Sequence, residues 1–313
     1  MKKMWIQILG ILFLLTVGIV LHLVLKKEPE IVLPEDLTGK LYWISEDSDV
    51  KVSRVELMDF DTSKGKETLV NLEFRNISWW YVFRKEGGAR YLAQCQSDRA
   101  DIYQYADSQL TFLYRMDAKE GDGIFYADQD EVYYTSYTPT GVAIKEYQRE
   151  QNSTREIVDG FEEIRDQPSV YQKNILFSGK KENDMERIYF LNDQGQVQVI
   201  TEGKHPQWMD ESAFLYLSND DQTMYQYDLV TNQKQVLLAD LKEKGISIYG
   251  KQIGVSPDKT YFAYIDFYSD YDVRMEPIAG FGELRIVSLE TGESYLIKEA
   301  HYGTLRIGSL LWE

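Results

Sequence analysis

From residue 36 onward, hydrophobic and polar residues alternate in short runs that are separated by turn residues. Alternation over about four to eight residues is typical of a half-buried β-strand, because successive side chains of a strand point to opposite faces. No sustained i, i+3, i+4 spacing of apolar residues occurs here; the nearest approach is LLADLKEK at 237–244. The pattern therefore predicts an all-β domain.

The alternating runs also repeat along the chain. Six segments read as a strand, a polar turn and a second strand, and they begin at Val55, Ile102, Ile144, Ile188, Met224 and Leu284. The turns contain residues that tolerate the positive φ of a tight hairpin, namely Gly65, Gly195, Asn232 and Gly292. The starts lie 36 to 60 residues apart, and a four-stranded propeller blade takes about 40–50 residues. We therefore expect a six-bladed β-propeller over residues 37–313.

A second signature precedes two of these hairpins. Residues 205–218 read HPQWMDESAFLYLS, and residues 254–264 read GVSPDKTYFAY. The signature resembles the Pro-x-Trp-Ser-Pro-Asp-Gly type of repeat found in TolB-like propellers and in the propeller domains of the prolyl oligopeptidase family. The match is clearest at Trp208 and at Ser256-Pro257-Asp258. The resemblance implies a six-bladed propeller; the separate hydrolase domain of the peptidases has no counterpart here, so peptidase activity is not expected.

The two ends of the repeat region look like halves of one blade. Residues 310–313 read LLWE, in which the tryptophan opens the signature, and residues 36–45 read DLTGKLYWIS, which resembles its second half. Pairing of these segments would close the ring and remove an open sheet edge. We therefore expect the propeller to be closed by strands from both chain ends.

The N-terminal residues have a different character. Residues 4–25 carry no formal charge over about 22 residues, long enough to cross a hydrocarbon core of about 30 Å. A cleavable signal peptide would have a shorter apolar region and small residues before the cleavage site, whereas this segment runs into Lys26-Lys27. We expect an uncleaved anchor over residues 1–27, a linker over residues 28–36, and a single-pass plasma-membrane protein. Lysine pairs flank both ends, so the short N-terminal tail rather than charge favours a C-terminal domain outside the cytoplasm.

Composition and charge narrow the function. The 23 Tyr, 13 Phe and 6 Trp are interpreted as packing between blades, with a sugar-stacking surface as the alternative. The net charge is −17, and the first 27 residues contribute +4, so the remainder is near −21. Such a domain is a poor candidate for nucleic acid binding and is repelled by anionic membrane surfaces. The charge is explained by solubility, with capture of a cationic partner as the functional alternative.

Reactive constellations are not recognisable in the sequence. There is no Gly-x-Ser-x-Gly elbow, and His205 and His301 lack an evident Ser or Asp relay. Cys95 lies in an alternating strand pattern and is interpreted as a packed thiol. No cofactor motif or His/Cys metal cluster is present, and Asp122, Asp128, Asp130 and Glu131 are interpreted as solvated turns. The sequence therefore gives no catalytic, cofactor or metal residues, although distant channel carboxylates would escape this reasoning.

The longest interval between repeats points to a binding surface. It contains an insertion at 268–282, between the second and third strands of its blade. Insertions in repeat proteins often mark a binding face, so we predict a partner-binding loop formed by Tyr268, Asp270, Tyr271, Asp272 and Arg274.

We therefore expect a non-catalytic binding or scaffolding module for a protein, peptide or cell-wall polymer, outside a bacterial-type plasma membrane. A polysaccharide hydrolase or lyase with central-channel carboxylates is the first alternative, and a sensor or accessory subunit of a membrane complex is the second. Acidic and aromatic residues converging in a deep central pocket would favour the enzyme, and a shallow apolar-rimmed face would favour partner binding.

Overall fold

The computed structural model describes residues 33–49, 52–72, 79–84, 88–119, 122–182, 184–248, 253–271, 277–299 and 305–313. Within these ranges no helix is long and apolar enough to cross a membrane. The predicted anchor (1–27), the first part of the predicted linker (28–32) and His301 lie outside the described residues.

The described residues form six sheets of four antiparallel strands, and each sheet is one blade. The inner strands are β4 (Trp79–Arg84), β8 (Gly123–Ala127), β12 (Glu163–Tyr171), β16 (Lys204–Trp208), β20 (Ile253–Val255) and β24 (Leu305–Trp312). The second strands are β1 (Lys40–Asp49), β5 (Arg90–Cys95), β9 (Glu131–Thr138), β13 (Asn174–Lys180), β17 (Ala213–Leu217) and β21 (Tyr261–Tyr271). The third strands are β2 (Val52–Asp61), β6 (Arg99–Ala106), β10 (Gly141–Gln148), β14 (Arg187–Leu191), β18 (Met224–Asp228) and β22 (Pro277–Ser288). The outer strands are β3 (Lys66–Leu72), β7 (Gln109–Asp117), β11 (Ser153–Phe161), β15 (Val197–Glu202), β19 (Gln233–Leu238) and β23 (Ser294–Glu299).

Blade 1 is the sheet β24-β1-β2-β3, and blades 2 to 6 follow in chain order from β4. The six predicted hairpins are all found, and each joins the third and outer strands of its blade. The inner strands contact one another around the ring, from β24 through β4, β8, β12, β16 and β20 back to β24. The predicted all-β, six-bladed propeller is therefore confirmed.

Closure of the ring by strands from the two chain ends is also confirmed. β24 pairs with β1 in blade 1, and Trp312 lies opposite Leu41. The Trp312 indole N–H donates to the carbonyl of Thr38 at 3.0 Å. Gly39 adopts a φ of +94°, and a Cβ at this position would collide with the carbonyl oxygen of Glu313. Both halves of the split signature therefore have a packing role in the same blade.

The hydrophobic core lies between blades rather than inside a single layer. Six clusters of buried side chains fill the six interfaces between neighbouring blades, including the interface between blade 6 and blade 1. Between blades 3 and 4, the ring of Phe161 lies edge-on to that of Tyr189, with centroids 4.8 Å apart. The described aromatic residues in these clusters support the interpretation of packing between blades.

Candidate functional site

The inner strands surround a cavity of about 750 Å³ in the central channel. This volume lies within the range of small-molecule sites, about 300–1,000 Å³. All six blades contribute to the wall, through residues at or after the ends of their inner strands. The cavity therefore lies towards the end of the channel where inner strands turn into second strands, which we call the turn face.

The direction of the strands determines which connections lie on each face of the ring. Each strand of a blade is antiparallel to its neighbour, so connections from inner to second strand and from third to outer strand share the turn face. Connections from second to third strand, and links between blades, share the opposite face, which we call the link face. The cavity and the predicted partner-binding loop are therefore on different faces of the ring.

Blade 3 supplies an acidic wall to the cavity. The turn after β8 begins at Asp128, whose Oδ1 accepts the backbone N–H groups of Asp130 at 2.7 Å and Glu131 at 3.0 Å. The hydroxyl of Tyr126 donates to Asp128 Oδ2 at 3.2 Å. The Asp128 carboxylate thus fixes the turn, and the turn directs Glu131 into the cavity lining at the start of β9.

Glu131 is an acidic side chain of this wall and is 6% exposed. Its carboxylate accepts a hydrogen bond at 2.9 Å from the ammonium of Lys173, which belongs to the corresponding turn of blade 4. Burial raises the pKa of Glu131, and the negative charges of Asp128 and Glu146 add to this effect, so that Lys173 only partly offsets the rise. Asp128 and Glu146 thus add negative potential at Glu131, which Lys173 opposes.

The buried carboxylate of Glu146 contributes to this potential from the next strand. Glu146 is 1% exposed on β10 and forms an ion pair with Arg155, its register partner on β11. Its charge raises the pKa of Tyr133, for which burial is the largest cause and the charge of Glu131 the second. Blade 3 thus carries two buried carboxylates, Glu131 on β9 at the cavity wall and Glu146 on β10, the next strand outward.

Aromatic side chains form much of the remaining wall. They come from five of the six blades and are Phe83, Phe125, Tyr126, Tyr171, Trp208 and Trp312. The indole N–H of Trp208 donates to the carbonyl of Ser169 at 3.0 Å, as that of Trp312 does to Thr38. Both indoles therefore use their polar atom within the protein, and both side chains are more than nine-tenths buried.

A second charged group lies where the ring closes. The side-chain carboxylate of Glu313 accepts a hydrogen bond from Nε of Arg90 at 2.5 Å, and the guanidinium lies over the ring of Tyr42 with 4.8 Å to the centroid. Burial and the nearby Glu313 raise the pKa of Tyr42. This carboxylate lines the cavity but is held by the closure of blade 1 to blade 2.

The predicted signature residues occupy the turn face. Asp210 accepts the N–H groups of Ser212 at 2.8 Å and Ala213 at 2.9 Å and pairs with Lys259 of blade 6. Asp258 accepts the hydroxyl of Thr38 at 2.8 Å, which links blade 6 to blade 1. The signature therefore builds turns and fastens neighbouring blades.

The predicted partner-binding loop lengthens a hairpin. As expected, the insertion falls between second and third strands, but β21 and β22 continue through it, pairing from Phe267 with Gly282 to Tyr271 with Pro277. Three of the predicted residues, Tyr268, Asp270 and Tyr271, belong to β21. The other two, Asp272 and Arg274, lie outside the described residues. The structure leaves the binding role of all five a prediction.

The interpretation of the acidic patch at 122–131 as solvated turns is wrong for Asp128 and Glu131. Asp128 and Glu131 do lie in a turn, but Asp128 is 1% exposed and Glu131 is 6% exposed, so they are not solvated. Among the described residues, no group of three His, Cys, Asp or Glu side chains has the geometry of a metal site.

The interpretation of Cys95 as a packed thiol is confirmed by burial. Cys95 is buried at the end of β5, and burial raises the pKa of its thiol. His205 is buried in the inner strand of blade 5, where its φ is +53°.

Comparison with known structures supports the fold. The chain is similar to TolB from Acinetobacter baumannii, with a TM-score of 0.61 and 12% identity over 90% of this chain and 68% of that one. It is also similar to a nidogen/laminin complex structure, with a TM-score of 0.53 and 11% identity over 88% of this chain and 98% of that one. A putative TolB from Agrobacterium tumefaciens gives a TM-score of 0.51 and 10% identity over 88% of this chain and 99% of that one.

The resemblance to TolB-like six-bladed propellers is thus confirmed at the level of fold. No protein-family model matches the chain, and no curated protein matches it in sequence. At these identities the likeness concerns architecture, and functional reasoning depends on the site itself.

Proposed function

We propose that this protein is a membrane-anchored, extracytoplasmic binding module that holds a protein, peptide or cell-wall partner without chemical turnover. The anchor and the location rest on the uncharged segment at 4–25 and the lysine pairs that flank it. The propeller supplies a rigid platform, because apolar clusters fill all six interfaces between its blades. One of the structures it resembles is a complex of two proteins, nidogen and laminin, so the fold is compatible with protein partners.

The observation that carries this proposal is the long hairpin of blade 6. The paired strands β21 and β22 have 11 and 12 residues, whereas β20 and β23 have three and six. In the described chain, register pairs beyond Phe267 and Gly282 join only these two strands. A two-stranded extension on the link face supports the predicted partner-binding role of Tyr268, Asp270, Tyr271, Asp272 and Arg274.

The test shortens this hairpin without disturbing the blade. Phe267 and Gly282 are register partners, so residues 268–281 are replaced by Asn-Gly, a favoured two-residue hairpin turn. The matched control replaces residues 149–152 by Asn-Gly between the paired Gln148 and Ser153 on the turn face. Cross-linking of the membrane-bound protein followed by mass spectrometry is expected to lose the partner only with the first variant. Equal partner recovery from both variants would contradict the proposal.

The proposed location has its own measurement. In intact cells, a protease added outside is expected to digest the propeller while the apolar segment stays in the membrane fraction. A full-length protein that is protected until the cells are lysed would contradict the orientation, and a released propeller lacking residues 1–27 would contradict the anchor.

A polysaccharide hydrolase or lyase is the second candidate, and the cavity favours it. Acidic and aromatic residues converge in a central pocket, and burial raises the pKa of Glu131 there, as is common for acid–base groups. Binding is nevertheless the better supported role, because Asp128 accepts the N–H groups of its own turn and Glu131 and Glu313 accept cationic donors. Turnover of a glycan panel by the wild type, abolished in Glu131→Gln, would establish the enzyme instead.

A further inference from the structure

We propose that the central cavity binds an organic cation, a protonated amine or guanidinium on an apolar body. The cavity lies on the turn face, and the long hairpin of blade 6 is on the link face, so this site is separate from the predicted partner surface. Loss of one activity therefore leaves the other measurable.

The charge of the lining selects for a cation. Among the side chains that the structure describes, the charged groups of the wall are the acids Asp128, Asp130, Glu131 and Glu313 and one base, Lys173. Glu131 is nine-tenths buried, and a buried charge acts through a medium of lower effective dielectric than water. Asp128 and Glu146 raise the pKa of both Glu131 and Lys173, which means that their potential at this wall favours positive charge.

The aromatic lining fits the same ligand. A cation over an aromatic face within about 6 Å of the centroid is attracted by the ring quadrupole. Tyr126 and Tyr171 are the half-buried aromatic rings of this lining, so part of each ring is accessible to a ligand. The protein uses this contact elsewhere, with Arg149 lying 5.0 Å from the ring centroid of Tyr114. Carboxylates beside aromatic faces thus recognise both the charge and the apolar body of such a ligand.

Lys173 shows that the wall accepts an ammonium group. Its Nζ lies 2.9 Å from a carboxylate oxygen of Glu131, and 60% of its side chain is exposed. Lys173 therefore acts as an internal competitor for the incoming cation. Removal of this amine should strengthen binding, whereas neutralisation of Glu131 should weaken it.

The experiment uses three probes with one body and different charge: 2-phenylethylamine, 2-phenylethanol and phenylacetate. Ligand-observed NMR titration of the full chain in detergent is expected to show preference for the amine. Because a charge-assisted hydrogen bond is lost, Glu131→Gln should weaken amine binding by about tenfold. Lys173→Met should tighten it several-fold, and the exposed-turn control Glu150→Gln should leave it unchanged.

Glu131→Gln and Lys173→Met are expected to change amine binding in opposite directions, and this difference distinguishes ligand recognition from a structural role. If Glu131 and Lys173 only stabilise the wall, both substitutions weaken binding or neither changes it, and either result overturns the proposal. Equal binding of the three probes, or no binding of the amine, overturns it as well. Near-UV circular dichroism checks that each variant is folded; Lys173→Met alone still decides the sign if Glu131→Gln fails to fold.

A second arm identifies the source of the cation. Acetyl-Ala-Lys-Ala-amide is compared with the norleucine analogue, which has the same backbone and a neutral side chain. Tighter binding of the lysine peptide than of 2-phenylethylamine indicates a side chain carried by a protein. The reverse order indicates a free small amine.

Discussion

Two turns of the propeller share one hydrogen-bonding design and differ in the side chains that they carry. After β8, Asp128 accepts the N–H groups of the residues two and three positions later; after β16, Asp210 does the same. The third residue begins the second strand in both blades. It is Glu131 in blade 3 and Ala213 in blade 5, and both are buried. The repeat thus fixes the backbone, while the side chain at this variable position adds charge to the wall in blade 3 and none in blade 5.

The two turn aspartates also differ in their burial and in their hydrogen-bond partners. Asp128 is almost fully buried and accepts the hydroxyl of Tyr126 within its own turn. Asp210 is less buried and pairs with Lys259 of the next blade. The same turn therefore supports the cavity in blade 3 and fastens two blades in blade 5. Function in such a ring arises where a blade departs from the common repeat, which is the reason to test these positions.

The largest effect is expected at Trp208, two residues before Asp210. Trp208→Ala should lower the free energy of unfolding by about 3–5 kcal/mol, because a large buried aromatic is removed from between blades 4 and 5. Urea denaturation followed by circular dichroism measures this change. Trp208→Phe, which keeps a ring but loses the bond to Ser169, should cost less. A loss below about 1 kcal/mol for the alanine variant would contradict this packing role.

Exchange of the variable position should be next in size. Ala213→Glu buries a carboxylate in a turn whose described cation, Lys259, is already paired with Asp210, and we expect a loss of about 3 kcal/mol. The reciprocal Glu131→Ala should change stability by no more than about 1 kcal/mol, because its partner Lys173 is exposed. The same denaturation experiment measures both. Equal losses in both directions would show that the two turns are not interchangeable frameworks.

Removal of the turn aspartates should have a smaller effect. Asp128→Ala leaves two N–H groups and the Tyr126 hydroxyl without their buried acceptor and should cost about 1–3 kcal/mol. Asp210→Ala should cost less, since its turn is more accessible to water. Chemical denaturation of the two variants in parallel checks the order. The reverse order would mean that the bond between Asp210 and Lys259 stabilises more than burial of Asp128 does.

Much of the fold could be predicted because the repeat is local. Alternation gives strands, residues such as Gly65 and Asn232 give hairpin turns, and both properties are visible within a short window of sequence. Closure was also predictable, since Trp312 and Gly39 belong to two halves of one recognisable signature. These features depend on neighbouring residues or on the repeat, not on distant contacts.

The cavity could not be predicted in the same way. Glu131 and Lys173 are 42 residues apart and meet only because neighbouring blades bring their turns together. The acidic run at 128–131 reads as a solvated turn because charge usually marks exposure. The available signal was the alignment of Asp128 with Asp210, which places Glu131 at the buried position of Ala213. The pairing of Glu131 with Lys173 could not be predicted because the two residues are far apart in the sequence. The repeat register nevertheless indicated that position 131 is buried.

The smallest effect concerns pH, and it has opposite signs in the two turns. Burial opposes ionisation of Asp210, but hydrogen bonds from Lys259 and Ser212 outweigh it and lower its pKa from 3.8 to about 2. Its contribution to stability is therefore present above the unfolded pKa and is lost as the pH falls towards 2. The pKa of Glu131 is raised from 4.5 in the folded protein. Ionisation of Glu131 therefore lowers the stability of the folded protein as the pH rises above 4.5.

Asp210→Asn should accordingly flatten the stability profile below about pH 4, and Glu131→Gln should flatten it above about pH 4.5, each by less than about 1 kcal/mol. Midpoints of urea unfolding measured from pH 3 to pH 8 test both signs against the wild type. A Glu131→Gln variant that loses stability relative to the wild type as the pH rises would show that the pair with Lys173 outweighs burial. In that case the wall of blade 3 would be closer to neutral, and its preference for a second cation would be correspondingly weaker.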